Sequence, residues 1–400
     1  MPTFAEVLHD AGYQTALFGK WHLGVTPKSN PQGFDDWRIF PGQGEYVDPL
    51  MYGPEGEERV EGYATDIVTD LSLGFLNGVD RDRPFALLVH HKAPHRPWVP
   101  HPRHADLYPA GSIPEPETMW DDHASMSQVV QDVAMTLDDL TLADVKEPVP
   151  ADLEGDERWR ERSRWKYQRY MRDYLQTIQA IDDSVGTLLD WLDAAGLAGN
   201  TVVVYTSDQG FFLGDHGWFD KRLMFDESLT MPMLMRWPAE IEPGSHVEAM
   251  ITNVDFAATF LDMAGESAEA LPAQQGRSFR PLLRGESVED WPQSMYYRYW
   301  EHDDPEHHAP AHYGVRTATH KFIHYYNDGL GTPGSSERVL PSEFELYDLV
   351  ADPSELTNVA DDPSYTEVRR DLEAELARLQ ELYGDRPYEG PETPRPDWSV

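Results

Sequence analysis

Four polar side chains follow a short apolar run near the middle of the chain and indicate binding chemistry there. The run 201–205 is rich in β-branched residues and predicts a strand buried on both faces. The glycine-punctuated loop after it carries a carboxylate, an amide, an imidazole and an ammonium: Asp208, Gln209, His216 and Lys221. Carboxylate and amide oxygens suit a hard cation. The lysine could hold a second, anionic partner, and His216 could either take part directly or only fix the loop.

Two further groups of ionisable side chains each follow a predicted strand. The first group, Lys20 and His22, follows a strand predicted over 14–18. The second contains His95 and follows a buried strand predicted over 85–90. Ligands of doubly wound sheets bind beyond the carboxyl ends of the strands. We therefore expect both groups to meet the loop described above at one edge of a sheet.

The elements between these motifs predict two parts of the chain. Strands alternate with helices up to residue 285, and the clearest helix spans 165–192 with apolar residues at three- and four-residue spacing. This alternation predicts an α/β fold with a doubly wound, mainly parallel sheet over 1–285. Beyond it, short tyrosine-rich runs and a helix near 364–382 predict a small C-terminal α+β subdomain over 286–400.

The composition restricts the class of protein. The formal net charge is −39, from 71 acidic and 32 basic residues, and aromatic residues make up 12%. Such charge disfavours nucleic-acid binding, which needs a basic surface, while the aromatic content indicates a packed core. No apolar stretch reaches the roughly 18 residues of a membrane span. We expect a protein adapted to high salt, where screening weakens self-repulsion, and a cytoplasmic location in a halophile if Met1 is the genuine start.

The motifs and their order resemble the sulfatases of the alkaline-phosphatase superfamily, and most closely glycan sulfatases such as N-acetylglucosamine-6-sulfatases and mucin-desulfating enzymes. The matching segments are Gly19-Lys-Trp-His-Leu-Gly24, Lys92-Ala-Pro-His95-Arg-Pro-Trp98, Thr206-Ser-Asp-Gln-Gly210, Gly214-Asp-His-Gly217 with Lys221, Tyr313-Gly-Val-Arg-Thr317 and Glu345-Leu-Tyr-Asp-Leu349. The resemblance implies an alkaline-phosphatase-like fold that lacks its first strand region here. It also implies hydrolysis of a sulfate ester, with a sulfated carbohydrate as the expected substrate class.

Carried over to this chain, the resemblance implies a role for each matching residue. Asp208 and Gln209 would bind Ca²⁺. Lys20 and Lys221 would hold the sulfate oxygens, His22 would act on a formylglycine nucleophile, and His95 would protonate the leaving alkoxide. These residue types suit the reaction, because cations stabilise the charge that spreads over a sulfuryl group in transfer.

One part of the family pattern is not found in these residues. The family's formylglycine is made from Cys or Ser in a Cys/Ser-x-Pro/Ala-x-Arg motif that precedes the segment equivalent to Gly19, together with two metal-binding aspartates. The 400 residues contain no cysteine and no such motif before Gly19. We therefore expect an N-terminally truncated sulfatase that is inactive as written. The alternatives are a phosphodiesterase or phosphonate monoester hydrolase of the superfamily, and a non-catalytic sulfatase-like remnant.

The sequence also suggests where a sugar could be recognised. Polar side chains are dense just before and within a strand predicted over 313–317: His307, His308, His312 and Arg316. They could contact sugar hydroxyls or a carboxylate, or they could serve packing alone.

Overall fold

The computed structural model describes residues 2–26 and 28–388. The chain first forms a five-stranded sheet in the order β4–β3–β2–β1–β5. Its strands are β1 (Gln14–Lys20), β2 (Asp36–Phe40), β3 (Leu50–Gly53), β4 (Gly56–Arg59) and β5 (Phe85–His90). β1 runs parallel to both β2 and β5, whereas β3 and β4 are antiparallel. β1 is an interior, buried strand of this sheet, and Lys20 is its last residue.

Helices cover both faces of this sheet. They are α1 (Phe4–Asp10), α2 (Ala64–Gly78), α5 (Trp159–Ala195) and α7 (Asp255–Ala264). α2 packs on the face that carries Ala16 and Phe18. α1 and α7 pack together near Ala86 on the other face. The side chain of Thr3 caps the start of α1, in a reciprocal capping box with Glu6.

The strand that precedes Asp208 differs from its prediction. β6 (Val203–Thr206) pairs antiparallel with β9 (Met233–Arg236) in a separate two-stranded sheet, not with β5. Both β5 and β6 were expected to be buried, yet β5 is half-buried along its length and Val203 to Tyr205 are half-buried too. Within residues 2–26 and 28–388, no strand pairs with the outer edge of β5 or of β6. These open edges leave both strands only half-buried.

Short elements complete the part of the chain that precedes residue 286. β7 (Phe212–Leu213) and β8 (Phe219–Asp220) form a small antiparallel hairpin immediately before Lys221. Four single-turn helices lie in the connections: α3 (Gln128–Gln131), α4 (Leu142–Val145), α6 (Asp226–Leu229) and α8 (Arg280–Leu283). The two-stranded hairpin packs with the C-terminal sheet, since Phe212, Phe225, Tyr325 and Tyr347 share one buried cluster.

The C-terminal part is the predicted antiparallel sheet with one helix packed on it. β10 (Ser294–Tyr299), β11 (His312–Thr317), β12 (His320–Tyr325) and β13 (Glu343–Asp348) form an antiparallel sheet in chain order. α9 (Thr366–Tyr383) packs on it through Leu372, Leu376 and Leu379. The boundary at 285/286 stays a prediction, and residues 389–400 of the expected subdomain lie outside the described residues. Of the helices described, none is both long and apolar enough to cross a membrane.

Candidate active site

Lys20 and Asp208 meet although they come from different sheets. The ammonium of Lys20 is 3.0 Å from Oδ2 of Asp208, and their side chains are 16% and 72% exposed. Burial raises the pKa of Asp208, but Lys20 and then Lys221 outweigh that effect and leave the pKa lowered. The carboxylate is therefore ionised at neutral pH, and Lys221 faces the same site.

Lys221 reaches the site from the end of the β7–β8 hairpin. Its backbone N–H donates to Oδ1 of the preceding residue, Asp220, at 2.8 Å. Burial lowers the pKa of the Lys221 ammonium, with Asp220 opposing and Lys20 adding to the shift. Two ammonium groups thus lie close enough to affect each other, which favours an anion between them.

His95 and His22 border the two lysines. Burial lowers the pKa of His95 to about 4, helped by Lys221, Lys20 and Lys92 and opposed by a hydrogen bond to the Arg96 carbonyl. Burial also lowers the pKa of His22, followed by the effects of Lys20 and Lys221. Without a bound anion, both imidazoles are therefore neutral at pH 7.

Two neighbours of the site were missed by sequence reasoning. Lys92 is only 4% exposed, and its ammonium donates to the Gln43 carbonyl oxygen at 3.3 Å. Burial and then Lys20 lower the pKa of Lys92 to about 8. Nε2 of Gln43 lies 3.2 Å from Nε2 of His22. Lys92 could have been predicted as a site residue, because it is the first residue of the motif that contains His95. No pattern in the sequence around Gln43 indicates that it lies at the site.

The two expected calcium ligands are adjacent but do not complete a metal site by themselves. Gln209 donates its amide Nε2 to the Ser228 carbonyl at 3.1 Å, which leaves its Oε1 as the oxygen donor. Calcium takes about six to eight oxygen ligands. Within the described ranges no group of three or more His, Asp or Glu side chains is arranged to hold a metal. The residues present thus do not fit a full calcium sphere, and Asp208 is already neutralised by Lys20.

His216 supports the loop. It is fully buried, with Nδ1 3.0 Å from Oδ2 of Asp121 and its ring 5.2 Å from that of Trp218. Its backbone φ of 54° lies in the left-handed region, which is uncommon for a residue with a side chain. This environment favours the loop-fixing interpretation of His216.

The residues predicted to read a sugar are not brought together. His312 is fully buried among the rings of Tyr297, Tyr299 and Tyr325, and burial lowers its pKa to about 4. Arg316 forms a two-point ion pair with Asp226, with N–O distances of 3.1 and 2.7 Å. These contacts argue for structural roles, and a substrate contact by either residue stays a prediction.

The other two histidines of that group differ in exposure. His308 is half-exposed, with Nδ1 2.7 Å from Oδ1 of Asp303. His307 is buried and lies between Asp304 and Asp220, next to Lys221. Of the four predicted sugar-reading residues, His307 is thus in contact with a residue adjacent to Lys221.

Comparisons with known proteins agree with this architecture. The family model for sulfatases matches residues 1–266. The model for the C-terminal region of N-sulphoglucosamine sulphohydrolase matches residues 214–382. The chain is 39% identical to an N-acetylglucosamine-6-O-sulfatase of Bacteroides thetaiotaomicron, over 98% of this chain and 74% of that protein. It is 25% identical to the N-acetylglucosamine-6-sulfatase of Bos taurus, of which it spans 51%.

Solved structures give the same result. A structure in complex with its substrate D-glucosamine-2-N,6-O-disulfate superposes with a TM-score of 0.87 and 37% identity, covering 98% of this chain and 84% of that one. A phosphonate monoester hydrolase from Silicibacter pomeroyi has a TM-score of 0.71 at 20% identity, over 96% of this chain and 81% of that one, and shares the fold alone. The chain belongs to the sulfatase family, and its enzyme class is that of the sulfuric ester hydrolases.

Proposed function

We propose that this protein hydrolyses the 6-O-sulfate ester of a glucosamine-type sugar. The observation that carries the proposal is the meeting of Lys20, Lys221 and His95 at one site, drawn from three distant parts of the chain. The similar proteins named above act on or contain N-acetylglucosamine-6-sulfate or a glucosamine disulfate, by their names. They support the choice of sugar.

The residues of the chain have distinct tasks in this proposal. Lys20 and Lys221 bind the sulfate oxygens and stabilise the charge that spreads over them during transfer. His95 gives its proton to the departing sugar oxygen, which is a poor leaving group as an alkoxide. A bound anion offsets the charges of Lys20 and Lys221, which with Lys92 help to lower the pKa of His95, so substrate binding itself favours the protonated imidazole.

Calcium and formylglycine would supply chemistry that Lys20, Lys221 and His95 do not. Calcium would supply Lewis-acid stabilisation of the sulfate, and Asp208 with Gln209 would need additional oxygen ligands to hold it. The 400 residues contain no cysteine and no Cys/Ser-x-Pro/Ala-x-Arg motif before Gly19, so the expectation that they are inactive by themselves stays a prediction. Binding of the sulfated sugar is therefore a more direct test of this site than turnover.

The test compares binding of glucosamine-6-sulfate and of glucosamine by calorimetry. Replacing Lys221→Ala removes a charge-assisted contact of about 1.5–3 kcal/mol, so affinity for the sulfated sugar should fall about 10- to 100-fold. Arg370→Ala is the matched control, because it removes one positive charge from the exposed side of α9. Equal affinity of wild type and Lys221→Ala for the sulfated sugar would contradict the proposal.

A further inference from the structure

A buried acid–base chain joins the C-terminal subdomain to the hairpin that carries Lys221. His307 precedes β11 and is 2% exposed, while Asp220 and Asp304 are 4% and 6% exposed. Nδ1 of His307 is 2.9 Å from Oδ1 of Asp304. Nε2 of His307 is 3.5 Å from Oδ2 of Asp220, an ion-pair distance. One imidazole thus stands between two buried carboxylates that come from different parts of the fold.

The backbone conformation of Asp220 explains how this acid–base chain can affect the position of Lys221. Asp220 has a φ of 74°, a left-handed backbone conformation that a residue with a side chain keeps only where its surroundings restrain it. Its carboxylate supplies that restraint, since Oδ1 accepts the Lys221 N–H at 2.8 Å and Oδ2 faces His307. Releasing the carboxylate would let the backbone relax and turn the Lys221 side chain away from the site.

Other charges around His307 are mostly negative. Oε1 of Glu306 is 3.9 Å from Nε2 of His307, and Glu306 is itself paired with Arg96 at 3.2 Å. Arg222 approaches from the hairpin, with Nε 3.6 Å from Oδ1 of Asp220, and pairs with Glu301 at 2.8 Å. Three carboxylates and one guanidinium therefore surround the ring, a setting that favours its charged form.

The direction of the pKa shifts agrees with this charge balance. Burial lowers the pKa of His307, but its interactions with Asp220 and Asp304 outweigh burial and leave the pKa raised. Burial raises the pKa of Asp220, yet His307, Lys221 and Arg222 together bring it far below its usual range. The contacts thus favour an imidazolium between the two carboxylates of this acid–base chain.

We propose that His307 and Asp304 are positioning residues for Lys221: the charged imidazole anchors the Asp220 carboxylate, and Asp220 holds Lys221 where its ammonium meets the sulfate. This role rests on the sulfate-binding function proposed for Lys221. It replaces direct sugar contact as the role of His307, because a ring that is 2% exposed offers a ligand almost no surface.

If His307 positions Lys221 in this way, sulfate affinity must change with pH in one direction. A histidine whose pKa is raised by folding contributes fully below its unfolded value of about 6.5 and loses that contribution as pH rises through the folded value. Sulfate affinity should therefore drop on the alkaline side of about 6.5. Without sulfate, the lowered pKa values of His22 and His95 put their titrations on the acid side, but bound sulfate moves that of His95 toward neutral pH. Lys92, with a pKa of about 8, can overlap, so the comparison between variants identifies the group.

The experiment measures inorganic sulfate binding between about pH 5.5 and 8.5 for wild type, His307→Gln and Asp304→Asn. Wild type should lose about three- to tenfold affinity across the His307 titration, whereas His307→Gln, which keeps an N–H donor but does not titrate, should lack that step. Asp304→Asn keeps an oxygen for the backbone N–H groups of Glu306 and His307 but removes a charge. It should move the step to lower pH.

Each outcome bears on one of the two proposals. An identical pH step in wild type and in folded His307→Gln overturns the positioning role, while loss of sulfate binding in Lys221→Ala leaves the proposed function intact. Equal sulfate binding by Lys221→Ala and wild type at every pH contradicts the proposed function instead. If His307→Gln does not fold, an NMR titration of the wild-type His307 ring decides, because a ring pKa away from the affinity step overturns the proposal.

Discussion

At the scale of single residues, the proton on His95 is the property that binding should change. Its pKa of about 4 arises from burial and from the nearby lysines. Only the second cause is offset by an anion, so saturating sulfate should raise the His95 pKa by about one unit or more, at 1.36 kcal/mol per unit. NMR titration of the imidazole with and without sulfate checks this. The fully buried His312, whose pKa is also about 4, should not move, and a parallel shift at both histidines would contradict the assignment.

Single residues also show which parts of the site could be predicted from the sequence. Lys20, His95 and Asp208 were predicted to converge, because each lies just after a predicted strand, and the structure brings them close together. No sequence pattern predicts the contact of His307 with Asp220. It joins residues far apart in the chain, and only the packing of the subdomain on the hairpin creates it.

At the scale of elements, a buried ion pair connects β12 to α6. Lys321 is fully buried, and its ammonium is 2.8 Å from Asp226 Oδ1 and 2.5 Å from Glu355 Oε1. Lys321→Met would leave Glu355 as a buried charge without its cation, and breaking such a pair costs about 3–5 kcal/mol. We expect the free energy of unfolding in urea to fall by about that amount.

The double variant Lys321→Met/Glu355→Gln is the matched control for this contact. It removes the cation and the buried carboxylate charge but keeps an oxygen for the Asp226 backbone N–H, so it should recover much of the lost stability. Equal destabilisation in the single and the double variant would show that packing, not charge, dominates at this contact.

Elements also account for the part of the fold that was not predicted. The β-branched residues of 201–205 indicated a strand, and β6 forms there, but a local pattern does not specify a partner. Register and neighbours depend on residues distant in sequence. The antiparallel pairing of β6 with β9 therefore could not be read from the sequence, whereas the 3.6-residue period of α5 could.

At the scale of the whole molecule, the net charge of −39 should make stability depend on salt. Self-repulsion destabilises a compact acidic chain, and molar salt shortens the screening length to about 3 Å. We expect the thermal midpoint to rise by at least about 5 °C between low salt and 2 M KCl, which corresponds to about 4 kcal/mol for a chain of this size. An unchanged or lower midpoint would remove the argument for adaptation to high salt.

The open outer edges of β5 and β6 have a consequence for handling the protein in solution. Unpaired strand edges are templates for intermolecular association, and within the described ranges both edges are flanked by half-buried apolar strands. At low ionic strength the acidic surface keeps copies apart. The molar salt that favours the folded chain also removes this barrier, so colloidal stability should decrease while thermal stability increases. Light scattering recorded alongside the melting curves would separate the two effects.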